Sequence, residues 1–196
     1  MKSALAVFAI TASAFALPAA AQVDKSAFYL GAGVGQSKAK DWCTGAGGFS
    51  CDDKKTAWKA FGGYQFNRYL SAELGYANLG KFTASGFGLT DEAKVTAWDL
   101  SAIGAWPVMA SGLSIFGRLG AYRAKVKEDT TFGSDEHDNN DLTLGFGLQY
   151  DFTRNLGLRG EWQRYQKVGG GNVGLGAGVG EKSNLDVFGV SALWRF

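Results

Sequence analysis

The sequence predicts an all-β fold, an eight-stranded antiparallel up-and-down transmembrane β-barrel. Apolar and polar residues alternate with a period of two in eight segments, which is typical of strands whose two faces meet different surroundings. The connections between these segments alternate between short and long. A transmembrane helix needs an apolar run of about 20 residues, and no run after the N-terminal segment is close to that length. If this chain crosses a membrane, it therefore does so as strands.

Residues 1–21 are predicted to be a cleaved secretory signal peptide. A lysine at the second position precedes an apolar, uncharged run over 4–17. The small residues at 18–21 then favour cleavage before Gln22. A membrane anchor is the alternative, but the run is too short to span a bilayer as a helix. We therefore expect one exported domain over residues 22–196.

The alternation is clearest over 142–152, where leucine and aromatic residues take the even positions and small or polar residues the odd ones. Most of the eight segments are about as long as a tilted strand must be to cross the hydrocarbon of a bilayer. The predicted strands are 27–37, 56–66, 70–79, 94–106, 113–125, 142–152, 156–167 and 184–196.

The connections fall into two classes that alternate along the chain. An even-stranded outer-membrane barrel has short periplasmic turns and longer external loops, whereas a soluble sandwich has no reason to sort its connections in this way. Short connections are predicted at 67–69, 107–112 and 153–155, and long ones at 38–55, 80–93, 126–141 and 168–183.

Aromatic pairs on two strands indicate which face meets lipid. Trp58 and Phe66 share one face of the second predicted strand, and Trp98 and Trp106 share one face of the fourth. Eight residues of tilted strand rise roughly 20 Å, close to the height of a lipid-facing band between two aromatic girdles. The alternative is the core of a soluble barrel, but the opposite faces carry glycine, serine and phenylalanine, which suits a crowded interior better.

The face opposite the aromatic residues carries charges. Eight strands leave a lumen that side chains fill, and an unpaired charge there would be costly. We therefore predict a salt-bridged network that plugs the lumen, centred on Glu73, Arg118, Arg159 and Glu161. Lys59 and Arg195 are expected to lie near the rims and meet water. The residues assigned to this inner face are Lys59, Glu73, Asp99, Arg118, Arg159, Glu161 and Arg195.

Cys43 and Cys51 are the two cysteines of the chain. Export places them in an oxidising compartment, so we expect a disulfide that closes a short loop and contributes about 2–3 kcal/mol. A metal pair is the alternative, but the spacing is not C-x-x-C and no histidine is near. No metal site is predicted.

Several segments together resemble the OmpA-like transmembrane domain, over nearly the whole mature chain. Residues 59–80 resemble its second and third strands, 117–123 its fifth, 147–163 its sixth and seventh, and 189–196 its last. The resemblance implies a monomeric barrel, with Glu73, Arg118, Arg159 and Glu161 at charged interior positions. It also implies that Phe196 is the C-terminal signal read by the barrel-assembly machinery.

Two positions depart from the pattern of that family. Its lumenal lysine on strand four is Ile103 here, and its glutamate on strand six is Gln149. Gating by exchange of ion-pair partners is therefore not expected for this chain. The family's frequent peptidoglycan-binding domain does not follow Phe196 in this sequence, so cell-wall tethering is not expected either.

The sequence offers no catalytic or cofactor site. The single histidine, His137, lies in an acidic segment that is predicted to be a solvated loop. The glycine-rich stretch 174–183 fails the P-loop pattern because Glu181 separates Gly180 from Lys182, and it opens no predicted helix. No basic block or stripe points to nucleic acid.

Three interpretations of function remain at this point. The first is an integral barrel of the bacterial outer membrane with a role in envelope integrity and with loops for external contacts. Its partners would be outer-membrane lipid, including lipopolysaccharide, and the barrel-assembly machinery. The second is a narrow porin-like channel for ions or small solutes. The third is a soluble, lipocalin-like carrier with an apolar cavity.

Cleavage before Gln22 is expected to leave a mature chain that starts with glutamine. The check is the intact mass of the protein extracted from outer membranes. A mature chain that still contains the apolar run over 4–17 would show that this segment is an anchor.

Overall fold

A computed structural model of the chain describes residues 26–39, 50–51, 54–86, 89–108, 111–130, 133–168 and 183–196. No helix in these ranges is long and apolar enough to cross a membrane. The regular elements are the strands β1 Ala27–Ala39, β2 Ser50–Cys51, β3 Lys54–Gln65, β4 Leu70–Gly86, β5 Leu89–Val108, β6 Leu113–Thr130, β7 Gly133–Asp151, β8 Leu156–Val168 and β9 Ser183–Arg195.

The long strands form a closed barrel. Each pairs antiparallel with the next long strand along the chain, and β1 pairs with both β3 and β9. The short strand β2 pairs with the outer part of β4. Closure pairs the backbone of every barrel strand on both sides, which a chain in lipid requires. The predicted eight-stranded up-and-down barrel is thus confirmed.

Two of the predicted loops are wrong, because much of their length is strand. The segment 80–93 was expected to be a loop, but β4 and β5 continue as a hairpin whose last pair is Gly86 and Leu89. Likewise β6 and β7 remain paired as far as Thr130 and Gly133. His137, expected in a loop, lies on β7 opposite Val126. The glycine and charged residues of these two segments therefore lie on strands that extend beyond the lipid-facing part of the barrel.

The outer wall changes character along each strand, as β6 shows most simply. Ile115 and Leu119 are exposed on the outer face, and further along the same face stand Arg123, Lys125 and Lys127. The inner face changes in the opposite sense, from the charge of Arg118 to the apolar Tyr122, Ala124 and Val126. The two-residue period continues unbroken, but the polarity of the two faces is exchanged.

The outer face makes the same change from apolar to polar on every long strand, and this change marks the outer edge of the lipid-facing wall. Below it the apolar face points outward into acyl chains, and above it the polar face points outward into water. The aromatic side chains of Trp58, Tyr76 and Trp98 lie just below this edge and contact one another in a row. The last lipid-facing and first polar residues are Val34 and Gln36, Trp58 and Thr56, Tyr76 and Asn78, Trp98 and Thr96, Ala121 and Arg123, Leu142 and Asn140, Trp162 and Arg164, and Phe188 and Asp186.

A β-bulge on β4 lies at this edge. The register between β4 and β5 shifts between Asn78 and Gly80, which leaves Leu79 as an extra residue whose side chain is buried inside the barrel. Gly80 has φ of +100°, a left-handed conformation that favours glycine, and its N–H donates to Asn78 Oδ1 at 3.1 Å. The bulge places Lys81 opposite Lys94 on the outer face.

The glycines of β1 leave space for interior side chains of other strands. A Cβ at Gly31 would lie 2.3 Å from the ring of Phe61, and one at Gly33 would lie 2.1 Å from Ser191 Oγ. The Gly31-Ala-Gly-Val-Gly35 stretch is therefore a strand that permits close packing, as its sequence indicated.

An added cation is expected to reveal the edge of the membrane. Ala102→Arg places a charge at the middle of the lipid-facing wall of β5 and should lower the free energy of unfolding by about 2–4 kcal/mol. Thr96→Arg, on the same face beyond the edge, should lower it by about 0–1 kcal/mol. Urea unfolding of both variants in lipid vesicles makes the comparison. Equal losses would contradict the assigned edge.

Candidate functional site

The middle of the lumen is occupied by a network of ion pairs centred on Arg118. This side chain from β6 is fully buried and faces carboxylates from three other strands. It is paired with Glu73 on β4, with Asp99 Oδ1 on β5 at 3.0 Å and with Glu161 Oε1 on β8 at 2.9 Å. The contact to Glu161 is an ion pair but not a hydrogen bond. Among the described residues, neither Arg118 Nε nor Glu161 Oε1 has a hydrogen-bond partner.

Two further cations complete the network. Arg159 Nη1 donates to Glu73 Oε2 at 2.7 Å, and Lys59 Nζ donates to Glu161 Oε2 at 2.8 Å. The guanidinium of Arg159 also lies against two rings, with its Cζ 5.1 Å from the centre of Phe61 and 4.9 Å from that of Phe116. Charge and ring contacts together compensate for the desolvation of this buried cation.

The structure brings together the residues that the sequence assigned to a lumenal network: Lys59, Glu73, Asp99, Arg118, Arg159 and Glu161. Arg195 stands apart, paired with Asp151 Oδ1 at 3.0 Å. The expectation that Lys59 and Arg195 simply meet water is wrong, because their side chains are only 16% and 5% exposed and both are in ion pairs.

The sequence reasoning missed several partners of these charges. Tyr29 donates its hydroxyl to Glu73 Oε2 at 3.1 Å. Gln149 Oε1 accepts from Arg159 Nε at 3.2 Å and from Nη2 at 3.0 Å. Gln149 and Asp151 face inward at the end of β7, and the period-two pattern could have assigned them to the network. No sequence signal marks a tyrosine on β1 as the partner of a carboxylate on β4.

The other predicted site residues have different outcomes. The side chains of Cys43 and Cys51 lie outside the described residues, so the predicted disulfide stays a prediction, as does cleavage before Gln22. The side chain of His137 also lies outside them. Phe196 is 71% exposed, and its backbone N–H donates to the carbonyl of Phe28 at 3.0 Å. Among the described residues, no group of three or more His, Cys, Asp or Glu could hold a metal ion.

An apolar cluster fills the lumen on the external side of the ion pairs, and we call it the apolar plug. At its centre the rings of Tyr122 and Tyr165 meet edge to face with centroids 5.1 Å apart, and Tyr165 is 1% exposed. The Tyr122 hydroxyl donates to the carbonyl of Gln166. The plug comprises Ala39, Ala77, Leu79, Val95, Ala97, Tyr122, Ala124, Val126, Tyr165, Val168 and Leu185.

Two cavities flank the ion pairs. The larger, about 70 Å³, lies toward the short turns and is lined by Gln149, Asp151 and Arg195 among others. The smaller, about 30 Å³, lies between the ion pairs and the plug, beside Lys59 and Tyr165. Both have room for water. The ion pairs therefore lie between two small spaces in the lumen.

On the outer face beyond the membrane edge, one ion pair is exposed and another is partly buried. Arg123 Nη2 donates to Asp138 Oδ2 at 2.6 Å, and Arg164 Nε donates to Asp186 Oδ1 at 2.6 Å. The hydrogen bond from Arg123 holds the pKa of Asp138 below its usual range. An exposed pair such as Arg123 and Asp138 contributes little to stability.

Comparison with known proteins agrees with this architecture. The family model of the OmpA-like transmembrane domain matches residues 23–188. The chain belongs to the OmpA-like transmembrane domain family. Among OmpA-like relatives, outer membrane protein A of Salmonella typhi is 27% identical over 206 residues, covering 100% of this chain and 56% of that protein. That of Serratia marcescens is 29% identical over 209 residues, with the same coverage. The chain thus spans about half the length of these relatives.

Solved structures of similar barrels show the same fold. The N-terminal β-barrel domain of Pseudomonas aeruginosa OprF matches with a TM-score of 0.58 at 13% identity, covering 88% of this chain and 99% of that one. Ail, the attachment invasion locus protein of Yersinia pestis, matches with a TM-score of 0.56 at 17% identity, with the same coverage. This OmpA-like chain is a protein of the bacterial outer membrane.

Removing one charge from the lumenal network is expected to destabilise the barrel. Glu73→Gln leaves Arg118 and Arg159 buried without their shared carboxylate, which should lower the free energy of unfolding by about 3–5 kcal/mol. The matched control is Asp138→Asn, which removes a carboxylate from an exposed pair and should change stability little. Guanidinium unfolding in lipid vesicles measures both. Similar effects of the two variants would contradict the role given to Glu73.

Proposed function

We propose that the protein is a closed structural barrel that contributes to the integrity of the outer membrane and holds its external hairpins for contacts outside the cell. In this proposal it has neither catalytic activity nor steady conductance. The observation that carries it is the double closure of the lumen, first by ion pairs and then by the apolar plug.

The ion pairs are the inner closure. An ion that passes this level must separate Glu73 from both Arg118 and Arg159, which leaves the buried carboxylate of Glu73 without its two cations. The side chains of Arg118 and Glu73 are fully buried, so water cannot replace the lost contacts without a rearrangement of several strands' side chains.

The apolar plug is the outer closure. Leu79, Tyr122 and Tyr165 pack in the path, and an ion between them would lose its hydration without gaining a charged partner. A conducting path therefore requires that the ion pairs separate and the apolar plug opens at the same time.

A narrow pore is the second candidate, and the two cavities favour it. They lie on either side of the ion pairs and have room for water, so only the side chains of the network separate them. In this candidate, movement of Arg159 or Lys59 would join the cavities, but the plug would also have to move.

Several features support a structural role over catalysis. The lumenal carboxylates of Glu73, Asp99 and Glu161 are engaged by cations, which does not suit a general base that must accept a proton. A barrel that closes on itself exposes no sheet edge, which supports a monomer. Its outward wall suits outer-membrane lipid, and the exposed Phe196 at the end of β9 suits recognition by the barrel-assembly machinery.

Planar-bilayer recordings test the proposal. Wild-type protein should show no steady single-channel openings, and neither should Glu73→Gln, because the plug remains. Combining Glu73→Gln with Leu79→Ala and Tyr165→Ala weakens both closures and should produce openings. Altered electrophoretic migration on heating verifies that each variant is folded. Steady openings from the wild type that are lost in Glu73→Gln would support the pore instead.

A further inference from the structure

A group of exposed lysines lies on the outer face just beyond the membrane edge, on three neighbouring strands. We call Lys81 of β4, Lys94 of β5 and Lys125 and Lys127 of β6 the lysine patch. All four are exposed. They continue the lipid-facing wall without interruption, since Lys94 and Trp98 share one face of β5.

The register places like charges directly opposite each other. Lys81 pairs with Lys94, and Lys94 pairs with Lys127, so three ammonium groups stand in one row across β4, β5 and β6. Directly opposite residues have their Cβ atoms about 4.5–5.5 Å apart, and like charges there destabilise a sheet. A bound anion between the strands would offset this repulsion. Without the bulge beside Gly80, Lys81 would not stand in this row.

The height of the row suits the headgroups of lipids. Lys94 lies four residues beyond Trp98, a rise of about 10 Å on a tilted strand. The polar layer of a bilayer extends about 5–8 Å beyond the hydrocarbon. A flexible lysine side chain can reach back over the remaining distance while its stem covers the wall. The ammonium groups can therefore meet phosphates at the membrane surface.

Acidic residues stand near the patch on the same and neighbouring strands. Asp138 faces Lys125 from β7 and is bonded to Arg123. By register, Glu136 is opposite Lys127, and Glu92 and Asp129 form the next pair outward. Glu136 lies in the row, and Glu92 and Asp129 lie beyond it on the side away from the membrane. Asp138 lies one pair closer to the membrane, where Arg123 engages it. A lysine ammonium has three donors, so it can bind a protein acceptor and a phosphate together.

We propose that the lysine patch binds the phosphate groups of a phosphorylated glycolipid of the outer leaflet, the lipid A part of lipopolysaccharide. Its acyl chains would lie against the apolar wall below Trp98, and its phosphates would contact Lys81, Lys94 and Lys127. The inference adds a specific lipid partner to the proposed structural role and depends on it only for the position of the barrel in the membrane.

The test compares two double variants that lose the same charge on opposite sides of the membrane. Lys94→Gln/Lys127→Gln removes the centre of the patch, and Arg68→Gln/Arg154→Gln removes exposed cations at the short turns. Binding of bisphosphorylated lipid A to protein in mixed detergent micelles is measured by fluorescence titration. The first variant should bind about tenfold more weakly. The second should bind as the wild type does.

Two further probes identify the chemistry. Lipid A without its phosphates should bind wild-type protein about as weakly as bisphosphorylated lipid A binds the patch variant, and this comparison needs no substitution. Phosphatidylglycerol, which has a phosphate but no glucosamine, should bind weakly and with little difference between the variants. Equal binding of the two lipid A forms, or equal loss in both double variants, would overturn the proposal. Phosphatidylglycerol binding as tightly as lipid A would also overturn it.

The outcome is separable from that of the proposed function. Heat-dependent electrophoretic migration reports folding, and bilayer recordings report closure, and neither requires lipid A. A folded, non-conducting barrel that gives the overturning result would refute the lipid site alone.

Discussion

The level at which the outer wall changes from apolar to charged controls most of this structure. Below it the wall faces acyl chains, so the strands turn their polar side chains inward. There the buried charges of Arg118 and Glu73 require opposite charges as partners, and they form an ion pair. Above it the wall faces water, so the same two-residue period turns apolar side chains such as Tyr165 inward. The protein is thus an inside-out barrel joined without a break to one with an ordinary apolar core. The ion-pair network and the apolar plug are the two interiors that these two surroundings require.

The two interiors differ in what they contribute. Apolar packing around Tyr165 stabilises the external part of the barrel directly, because it removes apolar surface from water. The buried ion pairs have a smaller net benefit, because desolvation of each charge offsets much of the attraction. What they supply is a filled lumen with defined partners: Lys59, Arg118 and Arg159 against Glu73, Asp99 and Glu161. Opposite charges of equal number leave this network without a net charge.

The departures from the family pattern fit the same closed arrangement. Gln149, in place of a glutamate, accepts two hydrogen bonds from Arg159 and thereby leaves Glu73 as the carboxylate partner of that cation. Ile103, in place of a lysine, is buried and brings no additional charge. With neither charge present, the network has no alternative pair at these two positions. The residues at positions 103 and 149 therefore favour a network with fixed ion-pair partners over one that exchanges partners.

The sequence by itself determined the number of barrel strands, their pairing order, the outward aromatic residues and most of the charges that face the lumen, because a period of two assigns each side chain to a face. It did not determine where the strands end: glycine and charged residues over 80–93 and 126–141 favour loops locally, yet they continue as paired strands. The apolar plug was missed for the same reason, since Val126 and Leu79 were assigned to a loop or to a strand end. The bulge at Gly80, which turns Lys81 outward, and the contacts of Tyr29 with Glu73 depend on the closed barrel. Only closure brings strands that are distant in sequence into one lumen, and so only the tertiary structure could decide which charges pair.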